Sequence, residues 1–275
     1  MTLNTRNHFI FAFAVFSSII VGLFIIGLLF VLFTTPLDTI PTVRYETGIS
    51  FSEALFANHS MVALLNILIL IIYVPVLSFI IYFGFEKTQS PELFYYFIFL
   101  LGCLANICCL LIPIFKLWTG FSSILLFAGK AEFFGEIITV LSFLALGVCS
   151  SDEKNHDTDK NMIILIMISL ILSVIIPINN KDIQYALRVP FGYDNIVNFI
   201  RVIAIILTTF TLCLTGYRKD SKDLVFIAIG FLCTSTGYFL LLKTANIFWC
   251  IFGLTLLTFG TFFFLKRLHK YYMWK

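Results

Sequence analysis

Eight stretches of almost uninterrupted apolar sequence run through this chain, at 9–33, 61–84, 93–115, 122–149, 162–178, 196–216, 224–242 and 245–265. A helix rising about 1.5 Å per residue needs about 20 residues to cross a hydrocarbon layer about 30 Å thick, and each run is near that length. In lipid a backbone must satisfy its own hydrogen bonds, which leaves only helices or closed barrels. These runs are continuous rather than alternating, so barrel strands are excluded. The expected fold is an all-α integral membrane protein: a polytopic bundle of about eight transmembrane helices, one transmembrane domain over 1–275. The fifth run is the shortest and ends at Ile176-Pro177-Ile178, which leaves its boundary the least defined.

Composition agrees. Of 275 residues 60% are hydrophobic and only 12% charged, where soluble domains carry about a quarter charged to cover their surface. The net charge is +3 and the basic residues form no run. Nucleic acid is therefore not an expected partner, because it demands a basic patch or stripe. Seven cysteines occur without any Cys-x-x-Cys, and Cys103, Cys108, Cys109, Cys213, Cys233 and Cys250 lie inside apolar runs. They read as small core residues rather than a disulfide framework or a zinc site. Arg6 precedes an apolar run too long for a signal-peptide core, with no small-residue cleavage site after it, so 9–33 reads as the first helix.

Orientation follows from the basic residues of the loops. With the N-terminus inside, Arg6, Lys87, Lys154, Lys160, Arg218, Lys219, Lys222, Lys266, Arg267, Lys270 and Lys275 make eleven on the inner side. Arg44, Lys116, Lys181, Arg188 and Lys243 make five on the outer side, while Lys130 and Arg201 fall within spans. Both termini are thus expected in the cytoplasm and the chain in the cell membrane, a bacterial cytoplasmic membrane being the natural setting. Tyr271, Tyr272 and Trp274 beside Lys270 fit an interfacial anchor.

Two outer loops are long, 34–60 and 179–195. In the first, Ser50-Phe51-Ser52-Glu53 has capping-box spacing and predicts a short surface helix. Asn58-His59-Ser60 matches a glycosylation acceptor but abuts the membrane, so a chance match is the simpler reading. Asp38 to Arg44 and Asp182 to Arg188 share a spacing that hints at two four-helix halves, although one such match is within chance. The inner stretch 150–161 reads as a solvated linker.

Ionisable groups inside the spans carry the functional signal, since each costs about 2.5–3.5 kcal/mol at the bilayer centre and must face protein or water. In the fourth run Ala128, Ala131, Glu132, Gly135, Glu136, Thr139 and Ser142 share one helical face, with Lys130, Phe133, Phe134, Ile137 and Val140 opposite. The polar face should turn into the bundle, with Phe134 and Val140 turned away, and Lys130 should snorkel outward. In the sixth run Arg201, Ala204, Thr208, Thr211 and Thr215 share a face, with Asn198 nearby. Glu132 and Arg201 then lie at similar depth and form the expected ion pair, with Glu136 as the partner if the register is off by a turn. Asn106 and Thr234 sit near the depth of Glu136. Gly102, Ala105, Gly230 and Gly237 would permit close helix approach. The candidate intramembrane site is therefore Glu132, Glu136, Arg201, Asn106, Thr139 and Thr208. The alternative is that these charges only lock helices together. Pro75 and Pro113 are expected to kink their helices.

Catalysis is not expected. His8, His59, His156 and His269 all fall in tails or loops, which leaves haem, histidine-bound metal and a serine–histidine pair without ligands or base. No aspartate enters a span, so an aspartyl dyad is absent from the pattern. No cofactor is expected. The architecture is similar to the seven- or eight-helix membrane input modules of bacterial sensors. Ten residues follow the eighth run, without the kinase or cyclase output of such sensors. The expectation is a membrane-embedded sensory or accessory subunit that meets the bilayer and a membrane or cytoplasmic partner protein. The alternative is a small-solute or ion transporter that uses the carboxylate pair.

Overall fold

The computed structural model describes residues 3–34, 59–85, 90–115, 117, 123–151, 158–178, 187–189 and 192–273. Eight helices follow one another: α1 (Leu3–Thr34), α2 (Ser60–Gly84), α3 (Pro91–Ile114), α4 (Ser123–Ser151), α5 (Thr158–Ile175), α6 (Asp194–Arg218), α7 (Lys222–Lys243) and α8 (Ile247–Met273). They coincide with the eight apolar runs, and the protein is an all-α polytopic bundle. Among the described residues seven helices are long and apolar enough to cross a membrane, and Lys160–Ile175 of α5 is shorter. Together they fit a multi-pass membrane protein.

Helix ends follow local chemistry. Pro91 opens α3, where its missing N–H costs nothing, and Glu92 in the first turn complements the positive end of the helix. Asp194 and Asp223 do the same for α6 and α7, and Arg218 and Lys243 occupy their last turns. Pro75 sits inside an unbroken α2. Around Pro113 the outcome differs. Asn106–Leu110 of α3 tightens into a 3₁₀ segment just upstream, where Pro113 withholds the N–H that Cys109 would otherwise receive.

Helix α4 is the hub, packed against α3, α5 and α6. Val140 is therefore buried rather than turned away and Phe134 is partly buried against the core, as Phe133 beside it is fully, because α4 has neighbours on both sides. α7 and α8 form a hairpin whose backbones nearly touch. A Cβ on Gly237 would lie 2.5 Å from the Leu257 backbone nitrogen, and one on Gly260 equally close to that of Thr234. Their turn is tied to α2 by His59 N donating to Ala245 O (3.0 Å) and Asn66 Nδ2 to Thr244 O (2.7 Å). Arg6 is buried inside α1, where Nη2 donates to Phe85 O at the end of α2 (2.8 Å). His8 and His269 likewise lie within helices rather than tails.

The residues turned outward are those lipid would accept, such as Phe16, Leu23, Ile26 and Phe30 of α1 and Ile206 and Phe210 of α6. The predicted surface helix at 50–53, the Asn58 acceptor, Asp38, Arg44 and Asp182, and 152–157 of the expected linker lie outside the described residues, while the linker's two ends belong to α4 and α5.

Candidate functional site

Three helices and one loop bring six charged groups together in the half of the bundle from which α4 and α6 start. Glu136 is at the centre, fully buried on α4. One of its carboxylate oxygens pairs with Arg201 of α6. The other accepts from Arg188 Nη1 (2.8 Å) and lies 3.7 Å from Lys243 Nζ of α7. Lys243 also donates to Asp194 Oδ1 at the start of α6 (2.9 Å). Glu132, one turn away on α4, is 2.9 Å from Arg188 Nε. That contact is an ion pair whose N–H points off the oxygen, so neither atom completes a hydrogen bond. Charge that would be costly alone in lipid is thus compensated within the protein.

The expected pairing of Arg201 with Glu132 is displaced by one turn to Glu136, because Arg188 occupies the position beside Glu132. Arg188 belongs to neither flanking helix. It comes from the α5–α6 connection, where Leu187, Arg188 and Val189 are all buried. Leu187 has φ 56°, in the left-handed region that a branched side chain seldom adopts. Val189 packs with Ile112, Leu125 and Ile178 and holds this segment against α3 and α4. A Cβ on Gly129 would press on both Val189 and Ile178, so glycine there lets the loop approach α4. Burial works against the charge on Arg188, but Glu132 and then Glu136 more than offset it and raise its pKa above the ordinary arginine value.

Arg201 is held by further contacts. Nη1 donates to Asn198 Oδ1 (3.3 Å), and its guanidinium carbon lies 4.9 Å from the centre of the Phe239 ring. Asn106, on the 3₁₀ segment of α3, uses its amide nitrogen on Gly102 O and Tyr238 Oη, each at 3.2 Å. A Cβ built on Gly135 would stand 3.6 Å from Asn106 Oδ1, so the amide oxygen faces α4 between the two glutamates. Thr139 and Thr208 stand apart from the charges. The Thr139 hydroxyl donates to Glu136 O (2.7 Å), and that of Thr208 is shared between Phe143 O (3.0 Å) and Ala204 O (2.8 Å), which stitches α6 to α4. Lys130 does reach outward, to a definite target: Nζ donates to Val174 O (2.9 Å) and Ile176 O (2.6 Å) at the end of α5.

Beneath the cluster the bundle is filled by aromatic rings. Tyr238 meets Phe99 edge-on (5.2 Å), Phe99 meets Phe143 (5.1 Å) and Tyr96 (5.4 Å), and Phe143 meets Phe231 (4.9 Å). Tyr96 stacks on Phe264 (5.1 Å) and shares a 2.7 Å hydrogen bond with Tyr73.

The site therefore gathers Glu132, Glu136, Arg201 and Asn106 of the expected set and adds Arg188, Lys243 and Asp194. Neither a protein-family model nor a curated protein sequence matches the chain.

Proposed function

We propose that this multi-pass membrane protein is a sensory or accessory subunit of the cell membrane, with both termini cytoplasmic. It acts through a partner protein, and the charge cluster is its ligand-responsive element. The observation that carries this reading is the relation of cluster to core. Six charged groups converge under a buried loop segment, and the next layer inward is a column of interlocked rings from Tyr238 to Phe231 and Phe264. A close-packed column of this kind passes strain from the cluster to the layer beneath it and obstructs passage of a solute. Intramembrane charges mark function more often than ornament.

A second reading, a small-solute or ion transporter using Glu132 and Glu136, draws support from α3. Its 3₁₀ segment lies beside the cluster, and irregular helices at a charged site are a transporter trait. One experiment separates the two. The protein is purified from native membranes, its companions are identified, and the same preparation is sealed into vesicles for flux measurements. A stoichiometric partner without flux supports the subunit. A chain that purifies alone and moves ions or solutes overturns it.

A further inference from the structure

The cluster leaves polar atoms of both kinds without a hydrogen-bond partner. On the donor side are Arg188 Nη2 and Arg201 Nε. On the acceptor side are Glu132 Oε2 and Asn106 Oδ1. All four residues are 3% exposed or less. Buried polar atoms in this state each cost about 1–3 kcal/mol, so a site that collects four of them is built for an occupant. The thiol of Cys109 lies against Glu132 but is a weak donor.

The character of that occupant follows from two constraints. Among the described residues the formal charges of the cluster cancel, with Glu132, Glu136 and Asp194 against Arg188, Arg201 and Lys243. A ligand of net charge would leave that charge buried without a counter-ion, which is strongly unfavourable. The occupant is therefore neutral overall. Yet the unused donors are guanidinium N–H groups, and the unused acceptors are a carboxylate and an amide oxygen fixed toward it. Guanidinium groups bind carboxylates best, and carboxylates bind ammonium best. Asn106 cannot rotate to present its nitrogen instead, because Gly102 O and Tyr238 Oη hold it.

Building on the reading of the cluster as ligand-responsive, we infer that it binds a small zwitterion of the amino-acid class. The ligand carboxylate sits at Arg188 and Arg201, and its ammonium at Glu132 and Asn106.

The test uses the full chain in lipid nanodiscs. Its probes are glycine, alanine, β-alanine and γ-aminobutyrate at millimolar concentration, with acetate and methylammonium as half-ligands. Calorimetry and the thermal unfolding midpoint are the readouts. At least one zwitterion should bind and raise the midpoint saturably, while neither half-ligand does. Asn106→Ala should weaken that binding about tenfold, near the worth of one buried hydrogen bond. Glu132→Gln provides the same test if Asn106→Ala does not fold, and Lys130→Gln, on the opposite face of α4 and bonded to the end of α5, should leave binding unchanged. No binding by any zwitterion, or equal binding of acetate, overturns the ligand class and leaves the partner-dependent reading intact. Flux of a bound zwitterion into sealed vesicles overturns the subunit reading and leaves the ligand class standing.

Discussion

Glu136 and Arg188 lie 52 positions apart in sequence, yet are joined by a 2.8 Å charge-assisted hydrogen bond in the interior of the bundle. The bond fastens a loop to the middle of a membrane helix and makes Arg188 as much a part of the core as Arg201.

Glu136 meets three cations and Glu132 one, so the two carboxylates should not be equivalent. Replacing Glu136 by glutamine turns an amide NH₂ or an uncharged oxygen toward guanidinium groups that stay charged. Breaking a buried ion network from one side costs about 3–5 kcal/mol. Glu136→Gln should lower the unfolding midpoint in detergent clearly more than Glu132→Gln. Equal or reversed losses would contradict the geometry.

A charge swap distinguishes a pair from a network. Were Arg201 and Glu136 an isolated couple, Glu136→Arg with Arg201→Glu would recover what either change loses. Here the arginine at 136 would face Arg188 and Lys243, and the double variant is expected to remain destabilised. Recovery to the wild-type midpoint would remove Arg188 and Lys243 from the cluster.

The α7–α8 hairpin makes a steric prediction. A methyl on Gly237 meets backbone at 2.5 Å, and backbone yields poorly, whereas one on Gly22 of α1 meets nothing within 4 Å. Gly237→Ala should cost about 1–3 kcal/mol in resistance to detergent unfolding, and Gly22→Ala almost nothing.

Both termini are expected on the side with eleven loop cations. Cysteines introduced at 154–160 should be reached by a membrane-impermeant maleimide only after permeabilisation, and those at 42–47 in intact cells. Labelling of the first set from outside would invert the orientation.

The helices were legible in the sequence because lipid imposes a length on them. Glu132, Glu136 and Arg201 were legible because a charge inside an apolar run stands out. Arg188 and Lys243 were not, for a physical reason: in a loop or at a helix end a cation is ordinary and needs no partner. Two signals did point inward. With Lys130 on the opposite face of its helix, the two carboxylates have one arginine to share, which leaves a negative charge unmatched. Leu187 and Val189 flank Arg188 with apolar side chains that a solvated loop would not favour. The burial of Phe133 and Val140 escaped the helical pattern because amphipathicity identifies a polar face, whereas only packing shows that the opposite face is covered too.

Lys130 joins the shortest membrane segment to the hub helix. Its two hydrogen bonds to Val174 O and Ile176 O supply a cation where the carbonyls of α5 run out of partners. Lys130→Met should speed hydrogen exchange in 172–176 and leave the other helices unchanged.

The same contact bears on how the chain is made. During synthesis α4 leaves the ribosome before α5 and carries Lys130 with it. A short fifth segment with open carbonyls at its end is a poor candidate to enter the bilayer by itself. With its terminus already provided for by the preceding helix, it is expected to enter as the second half of a pair. Biogenesis of this region is then a two-helix event, and a fault in Lys130 would register in the yield of inserted protein before it registered in the behaviour of the finished one.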